Sequence, residues 1–302
     1  MNFLFCNNPL DKQNVDPDFE VEFLSAVGCG FAVHLFSYED LTIEENAIAS
    51  LKRLKSNITI QDIIYRGWML KPKHYNLLYN ALLSKGYKLI NTAVEYQNCH
   101  YLPDSYKYIE NETPKTIWFN FGNSSPDYNK IFSSVSVFGS SPVIVKDFVK
   151  SQKHYWDTAC FIPTVSDIEN VKKVIDNFLQ LQGADLNEGL VIREFVELNE
   201  LARHSKSGMP LKQEYRLFFY KKKFLACYNY WEEGSYETDE QLPIDHFSSI
   251  AHKVESNFFT MDVAKRTDGR WIIIELGDGQ VSGLSSITDI DGFYKKLKHT
   301  IF

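Results

Sequence analysis

The chain has 302 residues, 44% hydrophobic and 24% charged, which is ordinary for a globular protein and long enough for one large or two medium domains. Its formal charge of −7 comes without a basic stripe, which argues against a nucleic-acid binder; the one basic block, Lys221-Lys222-Lys223, lies between two apolar runs and reads as a solvated hairpin turn. No run approaches the roughly 20 apolar residues of a membrane span. The N-terminus lacks a basic signal-peptide region, and five scattered cysteines without zinc spacing fit a reducing compartment, so a cytoplasmic protein is expected.

In chain order, residues 2–6 read as a short strand. Residues 16–27 read as a helix, with Val21, Leu24 and Val27 recurring at helical spacing and Gly28 ending it. A strand follows at 31–36. A third apolar run at 62–65 ends on Arg66-Gly67. Residues 73–84 form a helix stopped by Gly86, and 87–90 another strand. Strands alternating with helices predict a small α/β layer with parallel strands. Such layers place ligand groups at the carboxyl ends of their strands, where Arg66 and Trp68 stand. Packing of Trp68 at a domain junction and an ion pair for Arg66 are the alternatives.

Near Glu112 the pattern changes, and a Gly122-to-Pro126 cluster follows. Strands are then expected at 142–146, 189–196, 214–220, 224–230, 259–264 and 271–276, with helices at 165–182, 243–256 and 291–298. The segment 205–210, with Gly208, is expected to be a mobile loop.

Three carboxylates stand out. Asp262 lies within one apolar strand, Glu275 ends the apolar run of the next, and Asp278 follows after a glycine. A buried unpaired charge is costly, so a cation should lie between them. Mg²⁺, which combines one or two carboxylates with phosphate oxygens, would fit and points toward ATP. Lys146 closes the strand Pro-Val-Ile-Val-Lys and could hold a phosphate, or could be a surface lysine at a strand end. Gly139-Ser140-Ser141 upstream is a weak candidate for a backbone anion nest. Glu194-Phe195-Val196 ends another strand and could supply the apolar slot and backbone groups an adenine needs, with Glu197, Asn199 or Glu200 near a ribose; an edge strand with outward charges would look the same. Arg216, at the start of a hairpin strand, could fork onto phosphate or pair with a neighbouring acid. Lys150, Lys153 and His154 share one loop, either a lid or plain solvated chain.

In this order the pieces resemble the ATP-grasp superfamily over about residues 113–302. The type that adds amino acids to peptides or proteins carries a hinge, then Asp-x-Arg, Val-Asp-x-x-Arg and Glu-x-Asn. Here Arg216 matches the first arginine, and Asp262 and Glu275 match the metal carboxylates. Lys265 replaces the second arginine, and Gly277 replaces the asparagine, with Asp278 beside it to supply the missing oxygen. These departures are similar to those of a divergent clade from bacteria and phages. The Tyr-Arg-Gly-Trp segment and residues 96–101 also look like that clade, which extends the resemblance to the whole chain.

The resemblance implies a Rossmann-like domain over residues 1–112, then an ATP-grasp domain over 113–302. The latter has a small lobe of about 113–197 and a large lobe of about 198–302, an α+β architecture with ATP between the lobes. It implies a ligase that joins a carboxylate to an amine (or thiol) through an acyl phosphate, with either substrate open to being a peptide. Mg²⁺ would sit on Asp262, Glu275 and Asp278. Lys146, Glu194, Phe195, Val196, Glu197 and Arg216 would hold the nucleotide. Arg216 and Lys265 would be catalytic, and Arg66 and Trp68 would contact substrate. A small-molecule kinase and a non-catalytic nucleotide-binding regulator are the alternatives.

Overall fold

The structure, a computed structural model, describes residues 1–122, 125–205, 209–236, 241–284 and 288–301. Strand β1 (Asn2–Cys6) is apolar from Phe3 to Cys6 because both of its faces are covered, as parallel strands require. After it come α1 (Glu20–Gly28), β2 (Ala32–Phe36), the short helices α2 (Tyr38–Thr42) and α3 (Ala47–Ser50), β3 (Gln61–Arg66), α4 (Pro72–Ser84) and β4 (Tyr87–Leu89). The strands form one parallel sheet in the order β2-β1-β3-β4. Leu4 and Cys6 pack with Leu78 and Leu82 of α4, whereas Phe3 and Phe5 point to the other side.

The expected buried face of the first helix is corrected. Val21, Leu24 and Val27 are 61%, 58% and 46% exposed, and α1 instead buries Glu22, Ser25 and Ala26. The reason is tertiary. Arg66, fully enclosed at the end of β3, needs a counter-charge, and Glu22 supplies it through two 2.8 Å hydrogen bonds.

Two helices not expected from periodicity follow, α5 (Ala93–His100) and α6 (Leu102–Ile109). A capping box between Thr92 and Glu95 starts α5.

The second sheet is antiparallel, in the order β5-β8-β6-β7. It comprises β5 (Thr116–Asn120), β6 (Val143–Lys146), β7 (Phe161–Ile162) and β8 (Gly189–Glu194), with α7 (Tyr128–Val135) and α8 (Ile168–Gln182) between them. Val143, Val145, Leu190 and Ile192 face α8 and α7. By strand alternation Ile144, Lys146 and Arg193 face the opposite way.

After the small hairpin β9 (Glu200–Arg203) and β10 (Pro210–Lys212), a third sheet is antiparallel in the order β12-β11-β13-β14. Its members are β11 (Glu214–Tyr220), β12 (Lys223–Asn229), β13 (Phe258–Lys265) and β14 (Trp271–Asp278). Helices α9 (Ile244–Ala251) and α10 (Ile290–Ile301) complete the chain. The turn between β11 and β12 uses positive φ at Lys221 and Lys222, so the basic block is a hairpin turn.

One face of this sheet (Leu217, Phe219, Met261, Val263) packs on α9 and on Cys99 and Ile109 from the two added helices. On the other face, Phe218 and Phe258 share a core with Phe3, Phe5 and Phe293 of α10. The remainder of that second face looks across at the second sheet. No helix among the described residues is long and apolar enough to cross a membrane. Residues 206–208 of the expected 205–210 loop lie outside the described residues, as do 123 and 124.

Candidate functional site

Strand alternation builds the site from both sides. On β11, Glu214 and Arg216 share a face with Phe218. Arg216 lies directly opposite Asp262, and Asp262 directly opposite Glu275, so the three project together. Between Glu275 and Ile273 the β13–β14 register slips by one residue. This bulge leaves Ile274 unpaired and re-aims it, so Ile274 and Glu275 both line the cleft.

The cleft deepens into a cavity of about 470 Å³ between the two antiparallel sheets. Ile144, Trp156, Phe195, Val196, Ile274 and Trp231 give it apolar walls. Trp156 stacks on Phe161 at 5.2 Å and meets Phe195 edge-on at 5.9 Å, which fixes the indole as a wall. It opens a π-helical turn, Trp156–Cys160, a form found mostly at functional sites. Glu194 also lines the cavity. The backbone N–H groups of Glu194 and Phe195 are spent on the carbonyls of Lys115 and Pro142.

The charges sit in opposed pairs. Asp262, 3% exposed, accepts two 2.8 Å hydrogen bonds from Arg216, whose guanidinium lies 4.7 Å from the Tyr230 ring centroid. Lys146, 6% exposed, reaches across from the second sheet to Glu275 at 3.1 Å. Burial would raise the Glu275 carboxyl, but Lys146 and Lys153 hold it down at about 2. Two further groups were not singled out from sequence. Arg193 is enclosed; burial lowers it to about 10, and its Nε has no hydrogen-bond partner among the described residues. The Glu214 carboxyl is pushed up to about 7, chiefly by burial, with Asp262 and Glu275 adding to the effect. Glu214 stands two residues before Arg216 on the same strand, so period-two spacing alone could have found it.

Lys146, Glu194, Phe195, Val196, Arg216, Asp262 and Glu275 are brought together. The other expected residues are not. Asp278 is one residue out of phase with Gly277 and Glu275, so it projects from the opposite face. There it accepts from Asn91 at 2.6 Å and from Gln280, and burial lifts it to about 7. Lys265 lies three residues beyond Asp262 on an unbulged strand, hence on the other face, with its ammonium 6.0 Å from the Trp271 ring centroid. Glu197 is exposed and off the cavity wall. Arg66 is 1% exposed and saturated by Glu22 and by the carbonyls of Gly279 and Ser282, so it has no group left for a substrate. Trp68 donates to Asp16 and packs edge-on against Phe19. The Gly139-Ser140-Ser141 turn has a positive φ at Gly139 but is not part of the wall.

A single set of observations thus remains: an apolar slot, with two carboxylates and three cations at its polar end. Among the described residues no cluster of three or more metal-ligating side chains exists, so a divalent ion here would complete its shell with oxygens from a ligand.

The model of an ATP-grasp domain family, the third family of the clade named for its arginine-to-lysine exchange, matches residues 137–297. Among curated proteins no match is found. Solved structures with a similar fold include D-cycloserine synthetase DcsG, at 12% identity and TM-score 0.60 over 100% of both chains. A D-alanine–D-alanine ligase from Bacillus anthracis gives 13% identity and TM-score 0.58 over 99% of this chain and 95% of that one. The ATP-grasp ligase PsnB, solved with a phosphomimetic variant of minimal precursor, Mg and ADP, gives 10% identity and TM-score 0.58 over 100% and 98%.

Proposed function

The chain belongs to the ATP-grasp domain family of the arginine-to-lysine clade, family 3, and on that premise we propose that it is an ATP-dependent ligase that activates a carboxylate for attack by an amine. The observation that carries the reading is the pair of ion pairs, Lys146–Glu275 and Arg216–Asp262, at the mouth of the apolar cavity. The residues fit a magnesium nucleotide. Ile144, Trp156, Phe195, Val196 and Ile274 make a slot of the right character for a base. With the Glu194 and Phe195 N–H groups already spent, Val196 is the hinge residue left to donate to it. Asp262 and Glu275, cross-strand neighbours on one face, would hold Mg²⁺. When bound, Mg²⁺ would neutralise charge on the terminal phosphate oxygens.

The chain's own side chains then have defined tasks. Lys146 and Arg216 are held in place by the carboxylates and need little reorganisation to meet phosphate oxygens, the kind of electrostatic preorganisation that phosphoryl transfer uses. The stacked Trp156 and the enclosed Arg193 keep water from the slot. Phosphorylation of the carboxylate would give an acyl phosphate, and the amine would displace phosphate. The D-alanine–D-alanine ligase and PsnB likenesses support an amino acid or a peptide as the acceptor.

Calorimetry with ATP, with and without Mg²⁺, tests the first half. Binding that strengthens with Mg²⁺ in the wild type and loses that gain in Asp262→Asn and Glu275→Gln supports the reading. Absence of any nucleotide binding at millimolar concentration refutes it. Hydroxylamine trapping with a panel of carboxylates tests the second half, since a ligase yields a hydroxamate with ADP and a kinase yields a stable phosphorylated product.

A further inference from the structure

The segment that joins β6 to β7 leaves the strand at Lys146 and passes over the cavity, and it has no glycine from Asp147 to Cys160. Its root is fixed by side chains. The fully buried Asp147 carboxylate accepts from the backbone N–H groups of Val149 and Lys150 at 2.7 and 2.5 Å, and from Gln182 and Asn187 on the far side of the lobe. Gln152 donates to Gln182 at 2.6 Å. A short 3₁₀ turn, Lys153–Tyr155, then carries Lys153 onto the cavity wall.

Lys153 differs from the other cations of the site. Arg216 and Lys146 are each committed to a carboxylate, and Arg193 donates to Thr113 and to the Ile273 carbonyl. The Lys153 ammonium makes no hydrogen bond or ion pair among the described residues and lies 5.9 Å from the Trp231 ring centroid, across the cavity. Its charge nevertheless helps ionise Glu214, Asp262 and Glu275, which come from two strands and a bulge of the opposite sheet. It is an uncommitted charge on an anchored loop, placed where three carboxylates converge.

We propose that Lys153 is a phosphate clamp, a cation delivered by a side-chain-anchored loop to the terminal phosphates of the nucleotide. This rests on the nucleotide-binding reading above and assigns the recognition of the β and γ groups to a side chain of the loop. In the free chain the ammonium rests against Trp231, a contact worth little at an exposed site. An incoming triphosphate offers it charge-assisted hydrogen bonds instead, and the fixed loop root limits the ordering cost.

The test is calorimetry of the full-length chain with ATP, ADP and AMP, each with Mg²⁺, for wild type, Lys153→Gln and Lys153→Arg. Lys153 is exposed, so both variants are expected to fold. Lys153→Gln should weaken ATP about 10-fold to 100-fold and AMP by less than about twofold, because the phosphate nearest the ribose lies outside the clamp's task. Lys153→Arg should recover most of the ATP affinity. Equal losses for ATP and AMP would overturn the proposal and make Lys153 a packing partner of Trp231. Unchanged ATP affinity would overturn it too. A wild-type chain that binds none of the three nucleotides would refute the functional reading itself, a result told apart from the others by the wild-type titration alone.

Discussion

Glu214→Gln should stabilise this protein in alkaline solution, and the amount follows from the position of the side chain. Glu214 is 7% exposed, faces the cavity, and titrates near 7 in the folded chain against an ordinary 4.5. The folded state therefore holds its proton more tightly than the unfolded state. Between about pH 4.5 and 7 the unfolded chain has released that proton and the folded chain has not, so stability falls as pH rises through this window. The accumulated penalty is about 1 kcal/mol at pH 5 and about 3 kcal/mol at pH 8. Glutamine keeps the shape and cannot ionise, so the variant should gain about 1 kcal/mol at pH 5 and about 3 kcal/mol at pH 8 over the wild type in urea unfolding. Asp278 is raised in the same direction, so both proteins should lose stability toward pH 7, and the difference between them isolates Glu214. A gain that does not grow with pH, or a loss at pH 8, would refute the argument that burial of this carboxyl is the cause. A group that destabilises the fold and faces the cleft is what a functional site retains, so the same substitution should weaken nucleotide binding.

Glu22→Gln should cost about 3–5 kcal/mol of unfolding free energy, because it leaves Arg66 charged and enclosed; replacing both residues by apolar ones should restore most of the loss, and a Glu22→Gln cost below about 1 kcal/mol would show that the pair is not what holds Arg66. Asp262→Asn and Glu275→Gln should abolish the Mg²⁺-dependent part of an ATP-induced rise in melting temperature, whereas Asp278→Asn should leave it in place, because Asp278 is on the other face of the sheet. A loss in all three would return Asp278 to the metal. Trp156→Ala should weaken AMP and ATP alike by about 10-fold or more in calorimetry, since it removes a wall of the base slot and no phosphate contact; selective loss of ATP would place Trp156 at the wrong end of the cavity.

Much of this site was legible in the chain because a strand reports its own faces. Lys146 at the end of an apolar strand, Glu-Tyr-Arg at the start of another, and a carboxylate in each strand of a Thr-Asp-Gly hairpin carry the family resemblance and its order. The parallel layer at the N-terminus was legible for the same reason, since β1 and β3 are greasy on both faces and alternate with helices. Period two, applied further, also separates Asp278 and Lys265 from Asp262 and Glu275, and joins Glu214 to Arg216.

Other features were decided by contacts between distant segments. The stripe Val21, Leu24 and Val27 marks an apolar face of α1, yet the helix turns Glu22 inward, because a buried guanidinium 44 residues away must be neutralised and an exposed valine costs less than an unpaired buried charge. That pairing also withdraws Arg66 from any substrate. The bulge that aims Ile274 into the cavity is a property of how β14 meets β13, and no local pattern within residues 271–278 signals it. Lys153 was one charge of an ordinary-looking loop until Asp147, Gln182 and Asn187, far apart in sequence, fixed that loop over the cleft. A sequence specifies which side chains share a strand face, because backbone geometry does so locally. Which faces meet, and which charges are left uncommitted when they do, depends on desolvation and pairing between segments and is settled by the tertiary structure alone.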